Sequence, residues 1–388
     1  MSFKDAVEDE HGEVEIKKVI NLYSASRSQE VQFDRFWKVW DLVKDKYVDQ
    51  PVSEVDMFYG AIEGMVAGLG DPHSVFMPPR EAKEFAADMS GEFSGIGAEI
   101  GVRDGQIVVI APLEDSPAQQ AGLRPKDMII TINGEESQGL SAEQAAQKIR
   151  GPKGTDVELG ILRPKDEKMQ KVVITRDDIK VPTVIVKSLD GGIAHFRITY
   201  FNKDTYRQFI SEADELIDQG VKGIVLDLRS NPGGFLTSAV DVADAWISQG
   251  AILQETFKDG KQQTYMARHE PILKDIPTVV LVDGGTASGS EIVAGALQDY
   301  GIGKIVGEKT YGKGSVQDFE VFPDASALKL TIAKWFTPKG RGIDKQGIEP
   351  DIVLDEMFVL KEGIGEKDST TPDDYRDLGL EKALEILQ

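Results

Sequence analysis

Between residues 31 and 48 the apolar positions of VQFDRFWKVWDLVKDKYV fall near a helical period: Phe33, Phe36, Trp37, Trp40, Leu42, Val43 and Tyr47. That spacing predicts a helix with one apolar face, its two tryptophans packed in a core or against another helix. FYGAIEGMVAGLG predicts a second helix closed by Gly70, DPHSVFMPP a loop, and REAKEFAADM a short third helix. Residues 1–30 are polar and weakly patterned, so the predicted helical region is 31–90.

The pattern changes over residues 91–178, where short apolar runs alternate with Gly and Pro turns. FSGIGAEIGVRDGQIVVIAPL reads as two strands joined at Arg103-Asp104-Gly105, and Asn133-Gly134 marks a second hairpin turn. SAEQAAQKIRG has Ser141 and Gln144 at capping-box spacing, with Gly151 just past the end. From residue 179 strands and helices alternate. GGIAHFRITYF, KGIVLDL, PTVVLV and KIVGEKT read as strands; TYRQFISEADELIDQG, FLTSAVDVADAWIS and SGSEIVAGALQDYG read as helices. Strands separated by helices of that length predict a mainly parallel sheet with right-handed crossovers. Ligands of such sheets sit at the carboxyl ends of the strands, where SNPGG and DGGTASGS fall. The acidic segment from 356 to 388 ends in another predicted helix, YRDLGLEKALEIL, whose apolar residues require a docking surface.

Charge narrows the partners. The 388-residue chain carries 44 Lys and Arg against 66 Asp and Glu, a net charge of −22. That excludes nucleic acid or an anionic membrane as the main partner, since both need basic patches. There is no cysteine, so thiolate chemistry is excluded. The four histidines, His11, His73, His195 and His269, are too scattered for a metal site. No cofactor or metal is expected. The N-terminus is acidic where a secretory signal would be basic and then apolar, so either the protein is cytosolic or a leader or anchor has been removed.

GEKTYGKGSVQ, residues 307–317, is one residue short of a phosphate-binding loop. Gly314 stands where that loop needs a hydroxyl for Mg²⁺, and the following SVQDFEVF reads as a strand, not a helix. Lys313 is then a candidate general base, which requires it to lose its proton in a dry crevice. In an extended segment Lys313, Ser315 and Gln317 share a face, so the Gln317 amide could hold the lysine amine. Ser288 lies in GTASGSE, between a buried strand and a helix start, where a hydroxyl faces helix-terminal N–H groups. It could equally be an N-cap, and Ser290 competes with it for both roles.

Two resemblances give these residues an order. FSGIGAEI, DSPAQQAGLRPKDMIITING and AEQAAQKIR resemble a PDZ domain. Glycines 95 and 97 allow Phe93, Ser94, Gly95, Ile96 and Gly97 to form a concavity for a chain-terminal carboxylate beside an edge strand. VVLVDGGTASGSEIVAGALQDYG followed by GEKTYGKGSVQ resembles the C-terminal processing, or tail-specific, proteases, which are Ser–Lys peptidases with an embedded PDZ domain. LGDPHSVFMPP, LDLRSNPGG, ALKLTIAKWFTPKGRGI and GIEPDI extend the likeness over roughly residues 31–355. The resemblance implies Ser288 as nucleophile, Lys313 as base and Gln317 as its orienting partner. It also implies an oxyanion hole from the N–H of Gly289 and that of Gly233 or Gly234. Asp283 departs from the family, which often has Asn there; it is expected to point away from the lysine or to bond loop amides. Gly289 stands where the family often has Ala.

The implied architecture is multi-domain, α+β with α/β: a polar segment (1–30), N-terminal helices (31–90), an inserted small β-rich PDZ domain (91–178), an α/β protease core with a mainly parallel sheet (179–355) and a helical tail (356–388). Arg150 is a candidate contact between PDZ domain and core. The implied activity is serine endopeptidase cleavage of proteins near their C-termini, with the PDZ domain recognising an apolar terminus. The implied setting is extracytoplasmic, soluble or membrane-anchored, with a homodimer through the N-terminal helices and tail. The alternatives are a catalytically silent PDZ scaffold, which would bind without cutting, and a relative of the acyl-CoA enzymes, which would have no use for a Ser–Lys–Gln set.

Overall fold

The computed structural model describes residues 33–388 apart from 91, 104, 114–115, 164–167, 181 and 362–374. The polar segment 1–30 and Asp104 of the first hairpin turn lie outside the described residues. The chain divides into two compact units, residues 1–76 and 77–388.

In the first unit, α1 (Phe33–Lys46) and α2 (Glu54–Ala67) form as the periodicity predicts. Ser53 caps α2 by accepting from the Asp56 N–H. The expected core for α1 is not found: no residue of the helix is buried. Trp37 and Trp40 pack edge-on against each other and Trp37 likewise against Phe36, along their own helix, while Phe36, Val39, Leu42 and Val43 face solvent. Periodicity reports which residues share a face, not what covers it.

The second unit opens with α3 (Pro79–Ser90). A two-stranded ribbon follows, β1 (Glu92–Gly95) with β2 (Asp177–Lys180), between the chain's entry to and exit from a small β-rich domain. That domain is one sheet. β3 (Ala98–Arg103), β4 (Gln106–Pro112), β5 (Met128–Ile132), β6 (Asp156–Leu162) and β7 (Gln170–Thr175) pair in that order. Asn133 and Gly134 both take positive φ, as a type I′ turn requires. Helix α4 (Ala142–Ile149) has the expected box: Ser141 Oγ accepts from the Gln144 N–H, and Gln144 Oε1 accepts from the Ser141 N–H. Gly151 serves close approach: a Cβ there would meet the Arg176 guanidinium at 2.9 Å.

The remaining chain forms a three-layer α/β/α core. Its sheet runs β8 (Val184–Leu189), β9 (Ile193–Ile198), β10 (Gly223–Asp227), β13 (Thr278–Val282), β14 (Gly303–Gly307) and β17 (Ile352–Val353), all pairs parallel except β8 with β9. Every residue of β10 and β13 is buried, which explains their unbroken apolar runs. Helices α5 (Thr205–Asp218), α6 (Leu236–Asp244) and α7 (Gly289–Tyr300) supply one large cluster with Phe196, Phe209, Trp246 and Leu297. The predicted tail helix, α8 (Leu378–Leu387), covers the other face through Leu380, Ala383, Leu384 and Leu387, against Val225, Val279 and Leu281. Beside this core lies an antiparallel sheet in which β16 (Ala327–Phe336) pairs with both β15 (Ser315–Val321) and β11 (Ala251–Phe257), and β12 (Gln262–Met266) pairs with β11. Turn residues and an apolar run announce β15 and β16. The β11–β12 hairpin is amphipathic and polar-rich and gives no such signal.

Candidate active site

The site lies at the carboxyl ends of β10 and β13. The turn leaving β13 runs from Asp283 to Ser288, and α7 starts at Gly289. Ser288 has φ 53° and ψ −114°, a strained region for a residue with a Cβ. The strain fits a side chain forced outward at a sharp strand-to-helix turn, and Ser288 is half-buried while its neighbours Ala287 and Gly289 are buried. Ser290 differs. It is fully buried and its hydroxyl donates to the Asn231 carbonyl at 3.0 Å, tying α7 to the loop after β10.

That loop brings its glycines to Ser288. A Cβ on Gly233, where φ is 101°, would lie 2.7 Å from both the Ser288 Cβ and the Gly289 nitrogen. Only glycine permits this approach. The Gly233 N–H itself donates to Asn231 Oδ1 at 2.9 Å. Of the two candidate donors in NPGG, Gly234 is the one whose N–H has no protein partner among the described residues, and the Gly289 N–H at the helix start likewise has none. Gly233 thus packs closely against the Ser288 turn with its own N–H already engaged.

Lys313 is anchored through its main chain at two points. The Lys313 N–H donates to Glu291 Oε2 at 2.9 Å, and its carbonyl accepts from Trp335 Nε1 at 3.0 Å. The flanking glycines answer the G-K-G spacing. A Cβ on Gly312 would sit 2.8 Å from the Gly347 nitrogen, and one on Gly314 would collide with the Asp344 backbone. The glycines thus let the 344–347 loop pack against the main chain on both sides of the lysine, which is half-buried. Ser315 and Gln317 do share a side: Gln317 Nε2 donates to Ser315 Oγ at 2.8 Å and to Thr331 Oγ1 at 3.2 Å. A register shift against β16 falls between Val316 and Gln317, so simple alternation does not carry through the strand.

Glu291 is the residue that sequence reasoning missed. Its buried carboxylate accepts four bonds: Ser288 N–H (2.8 Å) and Lys313 N–H (2.9 Å) on Oε2, Gly312 N–H (2.7 Å) and the Thr310 hydroxyl (2.5 Å) on Oε1. One side chain thus fixes the backbones of Ser288 and Lys313 to a single oxygen. Thr310 Oγ1 accepts from the Ile348 N–H, which commits its own proton to Glu291. Burial is the larger influence on Glu291 and raises its pKa; the four donors oppose it. The available signal was the Ser-x-x-Glu spacing of 288–291, a capping box whose second half also reaches a distant loop.

Asp283 behaves as expected. It accepts from Ser230 N–H (2.8 Å), Gly285 N–H (2.9 Å) and the hydroxyls of Ser230 and Thr286. With its charge spent on these donors, Asp283→Asn should leave the pH–rate profile in position. A strong acidward displacement in that variant would mean that the carboxylate does act on the base. His195 pairs with Asp227 (3.0 Å) and His269 with Asp244 (2.8 Å), and neither pair includes a serine hydroxyl.

In the small domain β3 is the sheet edge, with α4 beside it. The bend at Gly95, Ile96 and Gly97 leads into it. The carbonyls of Ile96 and Gly97 accept from the N–H groups of Ala118 (2.7 Å) and Leu113 (2.9 Å). Across a trans peptide the next N–H points the opposite way, so those of Gly97 and Ala98 face outward. Gly97 has φ 70°, and its Cβ would meet that of Ser116 at 2.5 Å. Phe93 and Ser94 pair with Ile179 and Asp178 in the ribbon, and Ser94 Oγ donates to Asp178. Ile96 is buried in the domain core. Arg150 caps α4 with its side chain exposed.

Comparisons with known proteins agree with this architecture. Residues 192–354 match the model of peptidase family S41, residues 85–162 that of the PDZ domain, and residues 3–80 that of the activating protease CtpB N-terminal domain. The chain is 38% identical over 322 residues to the carboxy-terminal processing protease CtpA of Bacillus subtilis, covering 83% of this chain and 68% of the relative. It is 37% identical over 326 residues to a carboxyl-terminal-processing protease of Synechocystis, covering 82% and 76%. Among solved structures, the photosystem II D1 C-terminal processing protease superposes with a TM-score of 0.52 at 31% identity, covering 81% of this chain and 86% of that one.

Proposed function

Since this chain belongs to the carboxy-terminal processing proteases of peptidase family S41, we propose that its serine-peptidase activity runs on a Ser288–Lys313 dyad. The observation that carries this reading is the shared Glu291 oxygen, which ties both main chains together beside the Gly233–Ser288 contact. The neutral Lys313 amine takes the Ser288 proton as Oγ attacks the peptide carbonyl. The oxyanion that forms is received by the N–H groups of Gly289 and Gly234, a pair worth several kcal/mol in a dry site at ~3 kcal/mol for each donor. Lys313 then protonates the leaving amine, and a water repeats the sequence to release the acyl group. Gln317 orients the lysine through its amide oxygen.

The substrate enters as a chain terminus. The outward N–H groups of Gly97 and Ala98 take its carboxylate, and its last residues extend the sheet along β3 with apolar side chains toward α4. Arg150, at the end of α4, is the candidate link from the bound PDZ domain to the core. The exposed apolar face of α1 fits a homodimer contact, and an extracytoplasmic setting accords with the family. No described helix is long and apolar enough to cross a membrane.

The test is a cleavage time course on two versions of one unfolded protein, ending in apolar residues or in aspartates. The apolar-tailed version should be cut about tenfold faster, the usual value of one or two well-filled side-chain pockets. Equal rates would overturn the PDZ assignment. Binding of the apolar tail without any cutting would favour the silent scaffold.

A further inference from the structure

The C-terminal segment does more than cover the sheet. In it β19 (Tyr375–Asp377) pairs with β18 (Phe358–Leu360) and runs directly into α8. Asp377 caps that helix: Oδ1 accepts the Leu380 N–H at 2.9 Å. The same carboxylate takes two parallel bonds from Arg229, Nη1 to Oδ1 and Nη2 to Oδ2, each 2.8 Å. Arg229 is almost fully buried and also grips Asp227 through Nε (2.8 Å) and Nη2 (2.6 Å). Its guanidinium lies 5.0 Å from the Phe358 ring centre. Gly379 keeps the space open, since a Cβ there would lie 3.3 Å from Arg229 Nη1. Burial disfavours charge on Asp227, but the bonds from Arg229 and His195 outweigh it and hold its pKa well below the usual carboxylate range.

Arg229 opens the loop that leads to the oxyanion donors. Ser230 follows with φ 56°, then Asn231, whose side chain bonds Ile198 O (2.8 Å) and Gly233 N–H (2.9 Å) and whose carbonyl receives Ala287 N–H and the Ser290 hydroxyl. A bidentate Arg–carboxylate pair fixes both position and plane. We propose that Asp377 is a positioning residue for catalysis: through Arg229 it sets the 229–234 loop so that the Gly234 N–H faces the oxyanion. The C-terminal segment is thereby part of the active-site scaffold, 148 positions from the arginine it holds. This rests on the peptidase reading above.

Asp377→Ser separates the two jobs of the side chain, because serine still caps α8 but cannot hold Arg229. On a peptide substrate we expect kcat to fall about tenfold while KM stays within about twofold, the signature of an interaction made only in the transition state. By hydrogen exchange on the intact protein, the hydrogen-bonded amides of Asn231 and Gly233 should exchange about tenfold faster, with β13 unchanged. Unchanged loop exchange would overturn the clamp whatever the activity. Faster exchange with wild-type kcat would overturn its catalytic role. If the wild type itself cut nothing, the peptidase reading would fail and exchange would still decide the clamp. Asp377→Ala, which also loses the cap, should lose more stability than Asp377→Ser but no more kcat per folded molecule.

Discussion

Ser288→Ala and Lys313→Ala should each lower kcat by about 10⁴-fold or more, while Ser290→Ala keeps kcat within a few-fold of wild type. The two serines are two positions apart in sequence, but their surroundings are opposite. The Ser290 hydroxyl is buried with its proton committed to the Asn231 carbonyl. Removing it costs one hydrogen bond, about 1 kcal/mol, and leaves a carbonyl that still receives the Ala287 N–H. Ser288 stands at the strained turn against Gly233, next to the Gly289 N–H, which has no protein partner among the described residues. In the proposed dyad nucleophile and base act as a unit, so the Ser288→Ala/Lys313→Ala double variant should be no slower than either single one. Steady-state cleavage of a quenched fluorescent peptide measures all four. A dead Ser290→Ala beside an active Ser288→Ala would reverse the assignment.

Glu291→Ala should lower kcat about 100-fold although Glu291 never touches substrate. Three backbone N–H groups and one hydroxyl lose their acceptor together. The stability cost should be about 3 kcal/mol, as for other buried groups left unpaired. The loss of rate has a geometric cause: the Ser288 and Lys313 main chains no longer share an anchor, and a displacement of ~1 Å between base and nucleophile is enough for a factor near 100. Glu291→Gln tests that cause. Its amide can turn the NH₂ toward Thr310 and keep the carbonyl on Ser288 and Lys313. Its kcat should therefore lie between wild type and Glu291→Ala, with KM unchanged throughout. If Gln and Ala variants lose the same activity at equal folded fraction, the shared oxygen is not what aligns the dyad.

The sequence by itself determined whatever depends on neighbours along the chain. The Ser141–Gln144 box, the Asn133-Gly134 turn, the apolar runs of β10 and β13 and the amphipathic period of α5 follow from bonds and packing within a few residues. Motif order carried the family and the Ser288, Lys313 and Gln317 candidates, because the residue types that chemistry needs are few. The tertiary structure decided which groups were already engaged. Gly233 and Gly234 are indistinguishable as letters; only the Asn231 side chain, folded back onto Gly233, shows which N–H is already engaged. Glu291 reads as an ordinary cap until Gly312 and Lys313, over twenty residues away, arrive on the same carboxylate. Trp37 and Trp40 have the spacing of a core and lie outside one, because an amphipathic period states a need for burial without naming what meets it. Asp377 reads as a helix cap and as nothing more until Arg229 reaches it. Hydrogen bonds and burial between distant segments are set by the path of the whole chain, and no local pattern encodes that path.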